Sequence, residues 1–429
     1  MTQIHFNMVM TTSPNSHAQS VWAHPLDQHA AGLMSPDYWR HLAMTLERGR
    51  FDGVFFADTL AAGDSSAGET LAQGGVPRPD PLELLPLMGS VTKYLGLATT
   101  LSTVCMAPYL AVRRLGTIDN LSGGRLAWNV VTGYLASDFE ALGLKQPEHD
   151  ARYDQADEYM EICYRLWDAF PPEAIIADKA SGDFVDPSLI KRVEYTGKYY
   201  SCSAFPTMVR SPQGRPLIFQ AGASNRGMDF AATHADAVFA LQPRTAWAGY
   251  LAQTRAAAER VGRPPPKVFF GIQPFIGKTE AEAQQRVAEL EARVPIGTAL
   301  ARLGGLLGRV FSEDELDRPI EIRETQASQG WMTAVEHVSE RGAPTLRQLA
   351  LHFAISPMMP RIVGTPEQVA DTIEAWWRET GCYGFTVTPN VLPDSLEAFV
   401  DGVTPLLQKR GLMRTEYAGT TYRENLLQQ

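Results

Sequence analysis

Eight short runs rich in β-branched and aromatic residues punctuate the chain, at 4–9, 53–57, 97–103, 125–131, 216–220, 237–241, 268–273 and 384–388. Between them lie longer amphipathic stretches, among them 37–50, 81–93, 111–121, 246–261, 280–293 and 366–380. Strands separated by helical crossovers pair in parallel, whereas strands joined by tight turns pair antiparallel. Eight strand-helix units match a (β/α)8 TIM barrel better than an open doubly wound sheet, and the absence of a short sequence period argues against a solenoid.

Two segments break the alternation. Residues 136–200 carry a helix around 155–168 followed by a polar, proline-bearing stretch, and residues 295–360 carry GGLLGRV, a charged run and a helix near 346–355. The expected fold class is therefore α/β, a single (β/α)8 domain over 1–429 with insertions at the carboxyl-terminal face, where barrel loops build sites and lids. Gly304, Gly305 and Gly308 would let the second insertion move as a lid, while Leu303, Leu306 and Leu307 could anchor it as scaffold. The loop 59–78, rich in glycine, alanine and serine, is a third mobile candidate.

A formal charge of −10 over 429 residues disfavours nucleic acid or an anionic membrane surface as the main partner and favours a small molecule. Cys105, Cys163, Cys202 and Cys382 are too scattered to form a disulfide framework and read as buried thiols. The start, MTQIHFNMVM, has no signal-peptide pattern, and no window approaches the ~20 apolar residues that span a bilayer, so the cytoplasm is the expected compartment.

Polar residues gather where the strands end. Asp58 in FFADTL can hold a ligand or cap the next turn, and Ser102 and Thr103 in LSTVCMAPY can bond a ligand or satisfy backbone groups where the sheet stops. In LSGGRLAWNVVTGY a glycine turn precedes the strand, and Asn129 offers both a donor and an acceptor; a purely structural asparagine is the alternative. In EHDARYDQADEY, His149 and Tyr153 are spaced to share a helix face, an arrangement that is most often packing. PLIFQAGASNRGMDF places Ser224, Asn225, Arg226 and Gly227 at a helix start, where unpaired N–H groups attract phosphate, although Ser224 is also an ordinary N-cap. After the first strand, NSHAQSVWAHP supplies His17, Trp22 and His24.

The order and spacing of these motifs, from Trp22 to the closing RGLMRTEYAGTTYRENL, resemble the bacterial-luciferase-like flavin monooxygenases, in particular the nitrilotriacetate, EDTA and dibenzothiophene-sulfone monooxygenase branch. The resemblance implies FMN, used as FMNH2, bound by Asp58, Ser102, Thr103, Asn129, His149, Tyr153, Ala223, Ser224 and Arg226. It puts His149 and Asn129 at the reacting ring and Ser224, Arg226 and Tyr153 at the phosphate. His17, Trp22 and His24 would face substrate. It also implies that O2 adds to the reduced flavin and that the resulting hydroperoxide passes one oxygen atom to a small organic substrate. No G-x-G-x-x-G follows a strand, so a separate NAD(P)H:flavin reductase is the expected partner. A homo-oligomer, dimer or tetramer, is expected from the same resemblance.

Two departures from the family pattern stand out. Gly133 replaces a common serine, which would leave room beside Thr132, and Ala23 replaces a common arginine, which would weaken recognition of a carboxylated substrate. The alternatives are a coenzyme F420-dependent oxidoreductase of the same fold and a non-catalytic flavin-binding protein. A metal-dependent barrel hydrolase would need a His-x-His pair on the first strand, where QIHFNMV has only His5, so no metal is expected.

Overall fold

The structure, a computed structural model, describes residues 3–61, 71–222, 224–307, 310–318, 344–356 and 359–427. Its strands are β1 His5–Met10, β2 Gly53–Phe56, β3 Gly96–Ser102, β4 Leu126–Val131, β5 Val193–Thr196, β6 Ser201–Ala204, β7 Leu217–Gln220, β8 Ala237–Ala240, β9 Lys267–Ile276, β10 Arg361–Gly364 and β11 Gly384–Val387. Eight of them, β1, β2, β3, β4, β7, β8, β9 and β11, pair in parallel in that order, and the β11–β1 pairing closes the ring. This is the (β/α)8 barrel expected from the alternation, with every predicted strand in place to within a few residues.

Period-two alternation sorts the side chains. Phe6, Met8 and Met10 pack outward against helices, whereas Val9, Phe55, Ala98, Ala127, Leu217, Phe219, Phe239 and Phe269 fill the barrel. Phe55 meets Phe219 at 5.7 Å and Phe239 at 5.3 Å between ring centroids, contacts that cross the barrel because β2 neighbours neither strand. Helices form where local signals agree: Ser35 and Thr365 cap Pro36–Arg48 and Pro366–Thr380, each with proline in the first turn, and Gly381 ends the latter at φ 63°.

The carboxyl-terminal segment closes the amino-terminal end of the barrel. Tyr422 enters the interior, donates to Asn7 Oδ1 at 2.8 Å, and lies where a Cβ on Gly53 or Gly96 would collide with its ring or hydroxyl. The Ser122–Gly123–Gly124 turn belongs to this floor, since Gly124 O accepts from Tyr422 N at 2.9 Å. His5 belongs there too, bonded to the buried Asp52 at 2.8 Å and stacked on Tyr383. It is therefore remote from the strand ends where a barrel metal would act.

The helix His149–Asp168 stands as the crossover after β4, so much of 136–200 is barrel wall, followed by the antiparallel β5–β6 hairpin. β9 runs past the rim, and its outer half pairs with β10. Helices Glu280–Arg293, Ile296–Leu307 and Leu346–Ile355 bury a second core that includes Ala18 and Val21 from the loop after β1. The described ends of the 295–360 insertion are thus anchored; its part at 308–309, 319–343 and 357–358, with Gly308, lies outside the described residues, as do 62–70 of the 59–78 loop. Among the described residues no helix is long and apolar enough to cross a membrane.

Candidate functional site

Polar side chains converge at the carboxyl ends of β2, β3, β4 and β7. Thr100 and Asn129 are register partners on adjacent strands, and both point inward by alternation. Asn129 Nδ2 donates to Thr100 Oγ1 at 2.9 Å, and that hydroxyl donates to Phe56 O at 2.7 Å. The chain of bonds fixes the amide and leaves Asn129 Oδ1 buried without a partner among the described residues. A buried acceptor left unpaired is costly, so this oxygen suits a ligand N–H. Thr100 was not foreseen, although its parity with Ser102 along β3 makes it readable as an inward residue. Ser102 Oγ accepts from Val104 N at 3.4 Å, and Thr103 is buried just past the strand.

Gly133, at φ 73°, does not open the pocket. A Cβ there would lie 3.0 Å from Phe139 and 3.5 Å from Ser102 Oγ. Phe139, from the short helix Ala136–Ala141, occupies the space that the missing side chain was expected to free, and a serine would also be strained at that φ. The mouth is tighter and more apolar than expected.

A second cluster forms where the helices His149–Asp168 and Asn225–His234 meet. Tyr153 is buried among Thr132, Ser224, Gly222 and Gly227: its hydroxyl bonds Ser224 and Thr132, and it lies 3.1 and 2.8 Å from where Cβ atoms on Gly222 and Gly227 would be. Burial pushes the Tyr153 phenol up, against the pull of these hydrogen bonds and of Arg152 and Arg226, so it stays a neutral donor. Ser224 Oγ caps the helix by accepting from Gly227 N at 3.1 Å. The cradle thus offers a helix amino terminus, two hydroxyls and two positions without side chains, a set that fits a phosphate. Ala223 lies outside the described residues.

Two side chains sit differently from the expectation. The Arg226 guanidinium is turned onto Asp154 at 3.0 Å and Asp157, and Asp157 also holds His234 at 2.8 Å. These carboxylates outweigh burial and raise the Arg226 pKa, so the residue braces one helix against the other instead of aiming a free cation at the cradle. His149 is about half exposed, with Nδ1 on Asp150 at 2.7 Å and Nε2 3.4 Å from Ser224 Oγ. Its Nε2 places it beside the cradle.

Asp58 follows β2 with Arg78, Asp80 and Asp138 around it. Burial pushes its carboxyl up to about 6; Arg78 opposes the shift and the two neighbouring carboxylates add to it. The folded state therefore holds this proton more tightly than the unfolded chain does. Stability falls as pH rises from about 3.8 through 6 and stays reduced above that window. Asp58→Asn is accordingly expected to raise the melting temperature at pH 8 and to leave it nearly unchanged near pH 4. An equal change at both pH values would mean that the carboxylate is not penalised.

The three substrate candidates after β1 separate. His17 stays near the mouth; burial, then Arg302 and His29, pull its pKa down to about 3, so the imidazole is neutral. Trp22 is 45% exposed and packs against the Gly74 backbone. His24 faces Glu289 at 3.8 Å and lines a cavity of about 250 Å³ with Phe275, Leu290 and Val391, on the flank of the insertion.

Residues 11–384 match the family described as luciferase-like monooxygenase. The chain is 36% identical to dibenzothiophene-sulfone monooxygenase of Rhodococcus erythropolis (strain XP), over 99% of this chain and 96% of the relative. It is 31% identical to nitrilotriacetate monooxygenase component A of Aminobacter aminovorans, over 94% and 92%. The crystal structure of DmoA from Hyphomicrobium sulfonivorans superposes with a TM-score of 0.92 at 34% identity, covering all of this chain and 92% of the other.

Proposed function

The chain belongs to the luciferase-like monooxygenase family, and on that premise we propose that it is the oxygenase of a two-component system, taking reduced FMN from a separate NAD(P)H:flavin reductase and inserting one atom of O2 into a small organic substrate. The observation that carries the reading is the pairing of an orphaned acceptor, Asn129 Oδ1, with a phosphate-sized cradle at Tyr153 and Ser224, both at the carboxyl ends of the barrel strands. The relative named component A and the lack of a dinucleotide fingerprint favour a reductase on another chain. In this reading residues 1–429 work as one catalytic unit, assembled as a homo-oligomer.

Reduced flavin, when bound, supplies the oxygen activation, and the protein supplies position and dryness. Tyr153 and Ser224 donate to the phosphate beside the first amides of Asn225–His234. His149 touches the same group through Ser224, and Arg226 orients Tyr153 by lying 5.5 Å over its ring. Asn129 accepts an N–H of the ring's pyrimidine edge, with Thr100 holding the amide. Ser102, Thr103 and Asp58 border the ring. Phe139 keeps water from the mouth of β4, which matters because the reactive oxygen is otherwise lost as peroxide.

Anaerobic titration tests the proposal: reduced FMN should bind more tightly than oxidised FMN, and reductase-coupled turnover should need FMN rather than coenzyme F420. Asn129→Leu keeps the volume and removes the acceptor, so it should weaken reduced FMN by roughly tenfold. Preference for oxidised FMN, or turnover with F420, would overturn the reading. The relatives' own names span an uncharged sulfone and a polycarboxylate.

A further inference from the structure

The helix Ile296–Leu307 of the insertion lies across the loop after β1, where Ala299, Leu303 and Leu307 share a core with Ala18 and Val21. Arg302 on this helix lies within electrostatic reach of His17 on that loop and of Tyr134 on the loop after β4. Its side chain is partly buried, and its Nε is enclosed without a hydrogen-bond partner among the described residues. Tyr134 and His17 are the described titratable groups coupled to the guanidinium, and no described carboxylate pairs with it. Burial pulls its pKa down to about 10, so it remains a cation at neutral pH. Among the other arginines described nearby, Arg226 is held by Asp154 and Asp157, whereas Arg78 bonds Thr59 and Arg152 lies beside Tyr153, each with an enclosed Nε that has no partner among the described residues.

The loop that faces Arg302 is prepared for a polar guest. Thr12 Oγ1, Ser16 Oγ, His17 Nε2 and Ser20 Oγ are all buried without partners among the described residues. Ser16 and Ser20 are held at φ 42° and 58°, a conformation that side chains rarely adopt and that tends to persist at functional sites. A partly buried cation with no described carboxylate beside it, next to hydroxyls left unsatisfied among the described residues, is unfavourable until an anion arrives.

We infer that Arg302 recognises an anionic group on the substrate, a carboxylate or similar oxyanion, with neutral His17 and the β1-loop hydroxyls as further hydrogen-bonding partners. The inference rests on the oxygenase reading and deepens it: the anionic end would lie under the insertion and the reacting end toward Asn129. It also revises the expectation drawn from Ala23, because the cation missing there is provided from a different element. Burial holds the His17 imidazole neutral, so on this loop it adds hydrogen bonds while Arg302 provides the charge. Planar guanidinium also suits bidentate pairing with a carboxylate, which lysine cannot reproduce.

The test measures binding, by calorimetry on the FMN-loaded enzyme, of aliphatic, aryl and thioether carboxylates, including 3-(phenylthio)propanoate, each against its neutral amide. The wild type should prefer at least one carboxylate over its amide. Arg302→Gln should weaken that carboxylate by roughly ten- to a hundredfold and spare the amide. Arg302→Lys should recover only part of the loss, and both variants should melt near the wild type. If no carboxylate in the panel outbinds its amide, or the preference survives Arg302→Gln, the inference is wrong. It is equally wrong if Arg302→Gln weakens FMN but not riboflavin, because the arginine would then serve the cofactor phosphate. Binding is read without turnover, so a preference for carboxylates with no flavin-dependent oxygenation would count against the oxygenase reading and leave the anion site standing.

Discussion

Arg414→Ala should destabilise the folded chain by about 3–5 kcal/mol, the usual penalty for removing one partner of a buried ion pair. The guanidinium bonds Asp52, which is 1% exposed, and also reaches His5 Nδ1 at 3.0 Å and Asn425 O at 2.9 Å. Asp52 accepts in addition from Phe6 N at 2.7 Å. Burial alone would push the Asp52 carboxyl up, but Arg414, His5 and the Phe6 amide together outweigh it and hold the pKa below its ordinary value. Removing Arg414 strands that charge and unties the tail that places Tyr422 in the barrel floor. Denaturant unfolding measures the loss. A depressed folded pKa contributes stability that is present above the unfolded value near 3.8 and lost as pH falls through the folded one, so the deficit of the variant should narrow in acid. A double variant, Arg414→Met with Asp52→Leu, should regain much of the stability by removing both charges. If the single variant unfolds like the wild type, the network is not what holds the floor.

Gly227→Ala should cost FMN roughly a hundredfold in affinity while leaving riboflavin binding nearly unchanged. Its new methyl would lie 2.8 Å from the Tyr153 hydroxyl, closer than atoms tolerate, and 3.1 Å from Ser224 Oγ, a tight contact, so the Tyr153 hydroxyl must move out of the cradle. The loss corresponds to about two charge-assisted hydrogen bonds. Alanine otherwise favours a helix over glycine by about 1 kcal/mol, so the melting temperature should not fall in proportion. Equal losses for FMN and riboflavin would put the phosphate elsewhere, and a collapse of thermal stability would make the effect structural. Fluorescence titration with the two flavins, alongside a melt, separates these outcomes.

Much of the fold was legible because a parallel barrel repeats one local signal. Each strand run switches the apolar period from about 3.6 to 2, and Pro36, Pro81, Pro108 and Pro366 mark helix starts. Asn129, Ser102 and Asp58 were readable for the same reason, since a polar residue where an apolar run stops must lie at the rim. Ser224 and Gly227 were readable as a helix start.

What was not legible depended on partners distant in the chain. Asp154 and Asp157 visibly share a face of their helix, but only the packing of two helices shows that they occupy Arg226. Phe139 filling the space beside Gly133, Thr100 holding Asn129 and Arg302 beside His17 are likewise contacts made by the closed barrel. His17, Trp22 and His24 look like one constellation in sequence, yet the loop after β1 turns them to three different neighbours. The sequence by itself determined the eight barrel strands, several helix starts, the rim positions and the family resemblance, because periodicity and capping act within a few residues, whereas the β5–β6 hairpin and β10 were not foreseen. Tertiary structure alone decided which charges are paired, because pairing follows distance in space; Asp52 and Arg414 lie 362 positions apart and still form one ion pair in the barrel floor.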